Sequence, residues 1–110
     1  LNIDHRIAYQ AAITASRPSK NETIKKILCF EIVSSTEWSD KNKKIFSPNY
    51  FVDISKFINR KLKALAIYDK EIKKSPNARS LENIKNFDLL RGSRAGVNYA
   101  EAFFIERIQN

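Results

Sequence analysis

A nearly unbroken apolar run constrains this chain more than any other feature. Ile27-Leu28-Cys29-Phe30 is followed, after Glu31, by Ile32-Val33. Its length and β-branched content predict a strand over 26–33. Polar and apolar positions do not alternate there, so the run predicts a strand buried on both faces. Such strands belong to parallel or mixed sheets with helices on each side. A helical pattern precedes the run, and a helix followed by a buried strand is half of a βαβ unit. The fold class expected is therefore α/β. A strand of this kind needs neighbours and cover that the rest of the sequence supplies sparingly.

The helical pattern spans 5–16. Ile7, Ala8, Ala11, Ala12 and Ala15 recur at spacings of three and four and form a narrow face of small residues. Asp4 is placed to cap the helix, and Arg17-Pro18 ends it, because a residue before proline avoids helical angles. A polar stretch over 34–49 contains Trp38 and Phe46, which either pin a loop to the core or serve a site. Tyr50-Phe51-Val52 is a short apolar piece. Asp53 or Ser55 is expected to cap a helix running to Lys74, with Phe57, Ile58, Leu62, Leu65, Tyr68 and Ile72 as its apolar stripe. Ser75-Pro76-Asn77 breaks it. Ser80 caps another helix with Glu82 in its first turn, where the helix dipole favours an acid. Leu81, Ile84, Phe87 and Leu90 line that helix's expected buried face. It weakens at Gly92 and Gly96, and the segment 99–108 then reads as a strand, with a helix as the competing pattern.

The chain has 110 residues, of which 43% are hydrophobic, enough for one modest domain with a core. Its net charge is +8, a balance that can signal nucleic acid. The lysines, however, fall as scattered pairs: Lys25-Lys26, Lys43-Lys44 and Lys73-Lys74. Scatter of this kind predicts a solvated surface, with no nucleic-acid partner. A non-enzymatic basic module for polyanions or nucleic acid is the rival reading. Cys29 has no partner cysteine, sits in an apolar stretch and reads as a small buried hydrophobe. A lone thiol fits a reducing, cytoplasmic compartment. No apolar run approaches a membrane span. The chain begins at Leu1 and contains no methionine, so a segment of something longer is expected.

Several catalytic signatures are absent: a glycine-rich phosphate loop, H-E-x-x-H, C-x-x-C and G-x-S-x-G. What remains is the single histidine, His5, in Asn2-Ile3-Asp4-His5. An imidazole at a helix start beside a carboxylate suits a metal ligand. Catalytic zinc normally takes three protein ligands plus water, so His5 is either an ordinary polar residue or one corner of a site completed elsewhere.

The segment Asn2-Ile3-Asp4-His5-Arg6-Ile7-Ala8-Tyr9-Gln10-Ala11-Ala12 resembles the [HN]-x-D-H metal motif of the PIG-L or LmbE family of zinc-dependent N-deacetylases. The resemblance continues in order. Phe30-Glu31 with Ser34-Ser35-Thr36-Glu37-Trp38 is similar to the family strand and following loop. Phe46-Ser47-Pro48-Asn49-Tyr50-Phe51-Val52-Asp53-Ile54-Ser55 is similar to F-x-P-N-x-F-x-D-I-[ST]. Lys61, Ala64-Leu65 and Tyr68, then Arg79-Ser80 with Glu82, Arg91-Gly92, and Tyr99-Ala100-Glu101-Ala102-Phe103 fit the remainder. The family's first motif, H-P-D-D-E, is not in the chain.

The resemblance implies a three-layer α/β/α Rossmann-like domain, of which residues 1–110 form the C-terminal part. The N-terminal, H-P-D-D-containing part of the same protein would be its partner. It implies zinc as cofactor, with His5 as one metal ligand and the H-P-D-D-E segment as source of two more and of the general base. The substrate implied is an acetylated amino sugar, an N-acetylglucosamine-type conjugate. Asp4 would orient the imidazole. Asn2 stands where many members have a histidine; it can donate a hydrogen bond to an oxyanion or substrate but cannot titrate. Arg79, Arg91 and Glu101 are the implied substrate contacts, with a buried ion pair or exposed surface as the alternative reading of each. Many members carry P-H-P-R-S, where this chain has Pro76-Asn77-Ala78-Arg79-Ser80. Some members form homo-oligomers, so self-association is compatible with the resemblance. The chain alone is expected to be inactive and to bind zinc poorly. A degenerate subunit serving in assembly is a further reading.

Overall fold

The computed structural model describes residues 3–21, 23–32, 46–68 and 80–110. Among these the elements are α1 (Ile3–Ala15), β1 (Lys26–Phe30), β2 (Tyr50–Asp53), α2 (Ile58–Ala66), α3 (Leu81–Ala95) and β3 (Ala100–Ile108). The three strands form one sheet in the order β1-β3-β2, antiparallel at both junctions. The last strand in sequence is thus the middle strand in space. The chain is a small mixed α/β domain over its described residues, with α3 packed on β3, β2 and α2.

β3 reaches its central place through the end of α3. Gly96 adopts the left-handed conformation, with φ of 76°. The Val97 amide donates to the Gly92 carbonyl at 2.9 Å, and the Gly96 amide to that of Ser93 at 3.4 Å. This paired closure satisfies the last helical carbonyls and reverses the chain. Gly92 is required for a different reason. A Cβ there would lie 2.7 Å from the Asn98 carbonyl and from the Val97 oxygen, so the returning backbone passes directly over it. At the other end of α3, the Ser80 hydroxyl accepts from the Asn83 amide at 3.1 Å, the cap its sequence position predicts.

The apolar run at 26–33 differs from expectation. It forms a strand over Lys26–Phe30, but one that pairs antiparallel with β3 and has no second neighbour among the described residues. Only its middle is half-buried, and Phe30 is 65% exposed. The physical reason is that a short apolar run is compatible with central and with edge placement, and its partners decide which. Here the nine-residue β3 takes the centre. Among the described residues the core consists of Ile54, Ile58, Ala100 and Ala102. Ala100 and Ala102 share one side of β3 by the two-residue period.

The caps of the two other helices also depart from expectation. Asp53 and Ser55 do not cap α2, whose first position follows Phe57 without a side-chain cap. Instead Asp53 Oδ1 accepts from the Ser55 amide at 2.9 Å and from its hydroxyl at 2.6 Å. Asp53 therefore closes a local turn that Ser and Asp side chains favour over helix. Of the predicted stripe, Ile58 is buried, Leu62 and Leu65 are half-buried, and Phe57 and Tyr68 are exposed; Ile72 lies outside the described residues. In α3, Leu81, Ile84 and Phe87 are half-buried and Leu90 is exposed, while Asp88 and Gly92 are the buried positions. α1 begins at Ile3, which puts Asp4 inside its first turn. Its apolar face is open, with Ile3 at 65% and Ile7 at 58% exposure.

Gly92→Ala is expected to destabilise the domain by about 1–3 kcal/mol through overpacking against rigid backbone. Gly96→Ala, which meets open space but keeps the left-handed angle, should cost about 1–2 kcal/mol. Urea unfolding of both variants measures this. A Gly92→Ala protein as stable as the wild type would contradict the close crossing.

Candidate functional site

Both β1 and β2 run antiparallel to β3, so their C-terminal ends lie at the same end of the sheet, beside the start of β3. Several charged and polar side chains from distant parts of the sequence meet there. Glu31 follows β1, Asp53 ends β2, and Ser55 begins the turn beyond it. Tyr99 and Glu101 open β3. Lys61 comes from α2, and Asp88 and Arg91 from α3.

Arg91 grips Glu31 with two parallel hydrogen bonds. Nε donates to Oε2 at 2.9 Å and Nη2 to Oε1 at 2.9 Å. The side chains are 14% and 11% exposed, and the Arg91 guanidinium also lies 5.1 Å from the centre of the Phe87 ring. A bidentate, largely dry pair of this kind fixes geometry as well as charge. It joins the end of β1 to α3.

Lys61 joins α2 to α3. Its Nζ donates to Asp88 Oδ2 at 2.6 Å and lies 3.8 Å from Glu101 Oε2. Burial pushes the Asp88 carboxyl above the ordinary aspartate range, and the Lys61 hydrogen bond and charge work against that rise. Glu101 keeps a side chain 45% exposed, so it retains free acceptor capacity toward solvent. The Ser55 hydroxyl, whose proton goes to Asp53, accepts from the Tyr99 amide at 3.1 Å and lies 3.4 Å from the Tyr99 carbonyl oxygen. The Ile54 amide donates to the Tyr99 carbonyl, at 2.9 Å. The Ser55 hydroxyl and amide hold the Asp53 carboxyl below its usual range, with the Lys56 charge adding to the effect. The result is a polar rim on which Asp53 is exposed with its Oδ1 engaged by Ser55, and Glu101 keeps a half-exposed carboxylate. Hydrogen-bond acceptance from hydroxyl or amine groups is the chemistry it offers.

The residues expected from sequence are distributed as follows. Arg91 and Glu101 are brought to this end of the sheet, Arg91 with its Nε–Nη2 edge engaged by Glu31. Asp4 and His5 are exposed in the first turn of α1. That helix meets the sheet through Tyr9, whose hydroxyl donates to Glu106 Oε1 at 2.7 Å, farther along β3. Asn2 and Arg79 lie outside the described residues. The roles of Glu31 and Asp88 were not anticipated. Asp88 did carry a signal, since it directly follows Phe87 on the inward side of an apolar pattern, where an unpaired acid is disfavoured. Glu31 interrupts an apolar run, which is a comparable signal.

Among the described residues no three histidine, cysteine, aspartate or glutamate side chains group closely enough to hold a metal ion. No helix among them is long and apolar enough to cross a membrane. No family model matches this chain, and no curated protein matches it.

Removing one partner of the Arg91–Glu31 pair leaves a charge stranded in a dry place. Glu31→Ala is therefore expected to lower stability by about 3 kcal/mol, measured by chemical unfolding. Asp53 gives a pH signature. A folded-state pKa below the unfolded one contributes stability above the ordinary aspartate range, lost as pH falls through the lowered value. Asp53→Asn should flatten that acid-side loss when unfolding is followed as a function of pH. An unchanged profile would show that the Ser55 contacts do not bias its ionisation.

Proposed function

We propose that this chain is the C-terminal portion of a zinc-dependent N-deacetylase of the PIG-L or LmbE type, acting on an N-acetylated amino sugar conjugate. The observation that carries the reading is the convergence at the sheet's end. Glu31, Asp53-Ile54-Ser55, Lys61, Arg91 and Tyr99-Ala100-Glu101 belong to separate pieces of the ordered resemblance, and they pair there in three local groups: Arg91 with Glu31, Lys61 with Glu101, and Asp53-Ile54-Ser55 with Tyr99. This end of the sheet brings together the C-terminal ends of β1 and β2 and the start of β3.

On this reading a segment bearing H-P-D-D-E completes a three-layer, Rossmann-like domain in the cytoplasm. On this reading His5 is one donor to zinc, exposed at a helix start with Asp4 in the same turn; α1 meets the sheet at Glu106, toward the other end of β3 from Glu101, so the completing segment has to bridge the two. The described residues do not assemble a full ligand set, so the other ligands come from the completing segment. Zinc, when bound, supplies Lewis acidity to the acetyl carbonyl and lowers the pKa of a water. The chain's own residues position the substrate. Glu101 accepts hydrogen bonds from sugar hydroxyls. The Lys61–Asp88 pair holds the Lys61 ammonium beside Glu101. Arg91 acts indirectly, by anchoring the end of β1 through Glu31. Arg79 and Asn2 are further substrate contacts on this reading, Asn2 as a hydrogen-bond donor.

The test uses the whole protein that carries H-P-D-D-E. Wild type is expected to hold zinc and to release free amine from N-acetylglucosamine conjugates. His5→Ala should lose both metal content, measured by elemental analysis, and turnover. Glu101→Gln should keep its zinc and raise KM. Full zinc content and rate in His5→Ala would overturn the metal assignment. Absence of amine release from every N-acetylated sugar would overturn the activity.

A further inference from the structure

Arg107, near the end of β3, contrasts with Arg91. Its Nε and Nη2 are shielded from solvent and have no hydrogen-bond partner. In Arg91 the same two atoms grip the Glu31 carboxylate. That edge of a guanidinium presents two parallel N–H groups, matched to two oxygens of one carboxylate or phosphate. Leaving such donors unfilled away from water is unfavourable, and buried donors in native folds are ordinarily satisfied.

The surroundings explain why no side chain of the described residues fills the fork. The pairing of β1 with β3 shifts between Ile27 and Leu28, so that Ile27 faces Arg107, Leu28 faces Ile105, and Glu106 is an extra residue. A bulge of this kind re-aims the side chains beside it. Glu106, the adjacent carboxylate, is turned to Tyr9 and accepts its hydroxyl at 2.7 Å. That bond and the Glu106 charge push the Tyr9 phenol up to about 12. α1, which Tyr9 ties to Glu106, is exposed along nearly its whole length.

We propose that Arg107 is the anchor of a small-oxyanion site, taking a carboxylate or phosphate group on its Nε–Nη2 edge beside the β3 bulge at Glu106. The site lies toward the opposite end of β3 from Glu101 and requires neither metal nor deacetylase activity.

The experiment follows the Arg107 Nε–H resonance of the whole protein by NMR. Inorganic phosphate and acetate are titrated separately at constant ionic strength, with chloride as the control. A saturable shift with one anion and not with chloride is expected, and which anion shifts it tells phosphate from carboxylate. Arg107→Lys, which keeps the charge but loses the fork, should weaken that anion's effect on Tm by about tenfold in concentration or more. No saturable shift with either anion overturns the proposal, even if Arg107→Lys proves too unstable to study. An undiminished response in a folded Arg107→Lys protein also overturns it.

Discussion

β3 forms last in sequence yet lies between the other two strands, and the described fold depends on that placement. β1 and β2 reach each other only through it, and α3 packs on it. The placement follows from a backbone reversal at Gly92 and Gly96, where one glycine gives room and the other gives a left-handed angle. An ordinary side chain at Gly92 would push the returning chain off its helix. The strand that holds the sheet together would then lose its entry point.

Charge is organised around the same strand. The sequence carries a net charge of +8, and two cations that tie elements together are held by acids: Arg91 by Glu31, and Lys61 by Asp88. Each pair spans two elements, so each functions as a cross-tie. Breaking one costs more than a surface salt bridge would, because the surviving partner is left with little solvent. Arg107 lacks such a partner, although it lies on the same strand. The contrast between two arginines using, or not using, the same edge is the clearest asymmetry in the electrostatics.

Local signals in the sequence were read most faithfully where a single residue type decides the geometry. Ser80 caps its helix, Gly96 ends it, and the aromatic and β-branched run after Tyr99 is a strand. Short-range chemistry was also visible at Asp53 and Ser55, although it closed a turn and did not cap a helix. What periodicity could not convey was partnership. The run at Ile27–Phe30 has the composition of a doubly buried strand, but only pairing with β3 reveals its edge position. The small-residue face of α1 likewise names no partner, and it is open among the described residues. At the site, Arg91 and Glu101 could be singled out one by one. Their partners Glu31, Lys61 and Asp88 emerge only when elements far apart in sequence are juxtaposed.

On the proposed reading, His5 is one ligand of a zinc site completed by a segment carrying H-P-D-D-E. Zinc-edge X-ray absorption on the protein containing both parts tests it most directly. The account predicts a mixed nitrogen and oxygen coordination sphere near about 2.0–2.1 Å, with imidazole scattering that diminishes in His5→Ala. A protein that takes up no zinc, or a spectrum unaltered by that substitution, would contradict it.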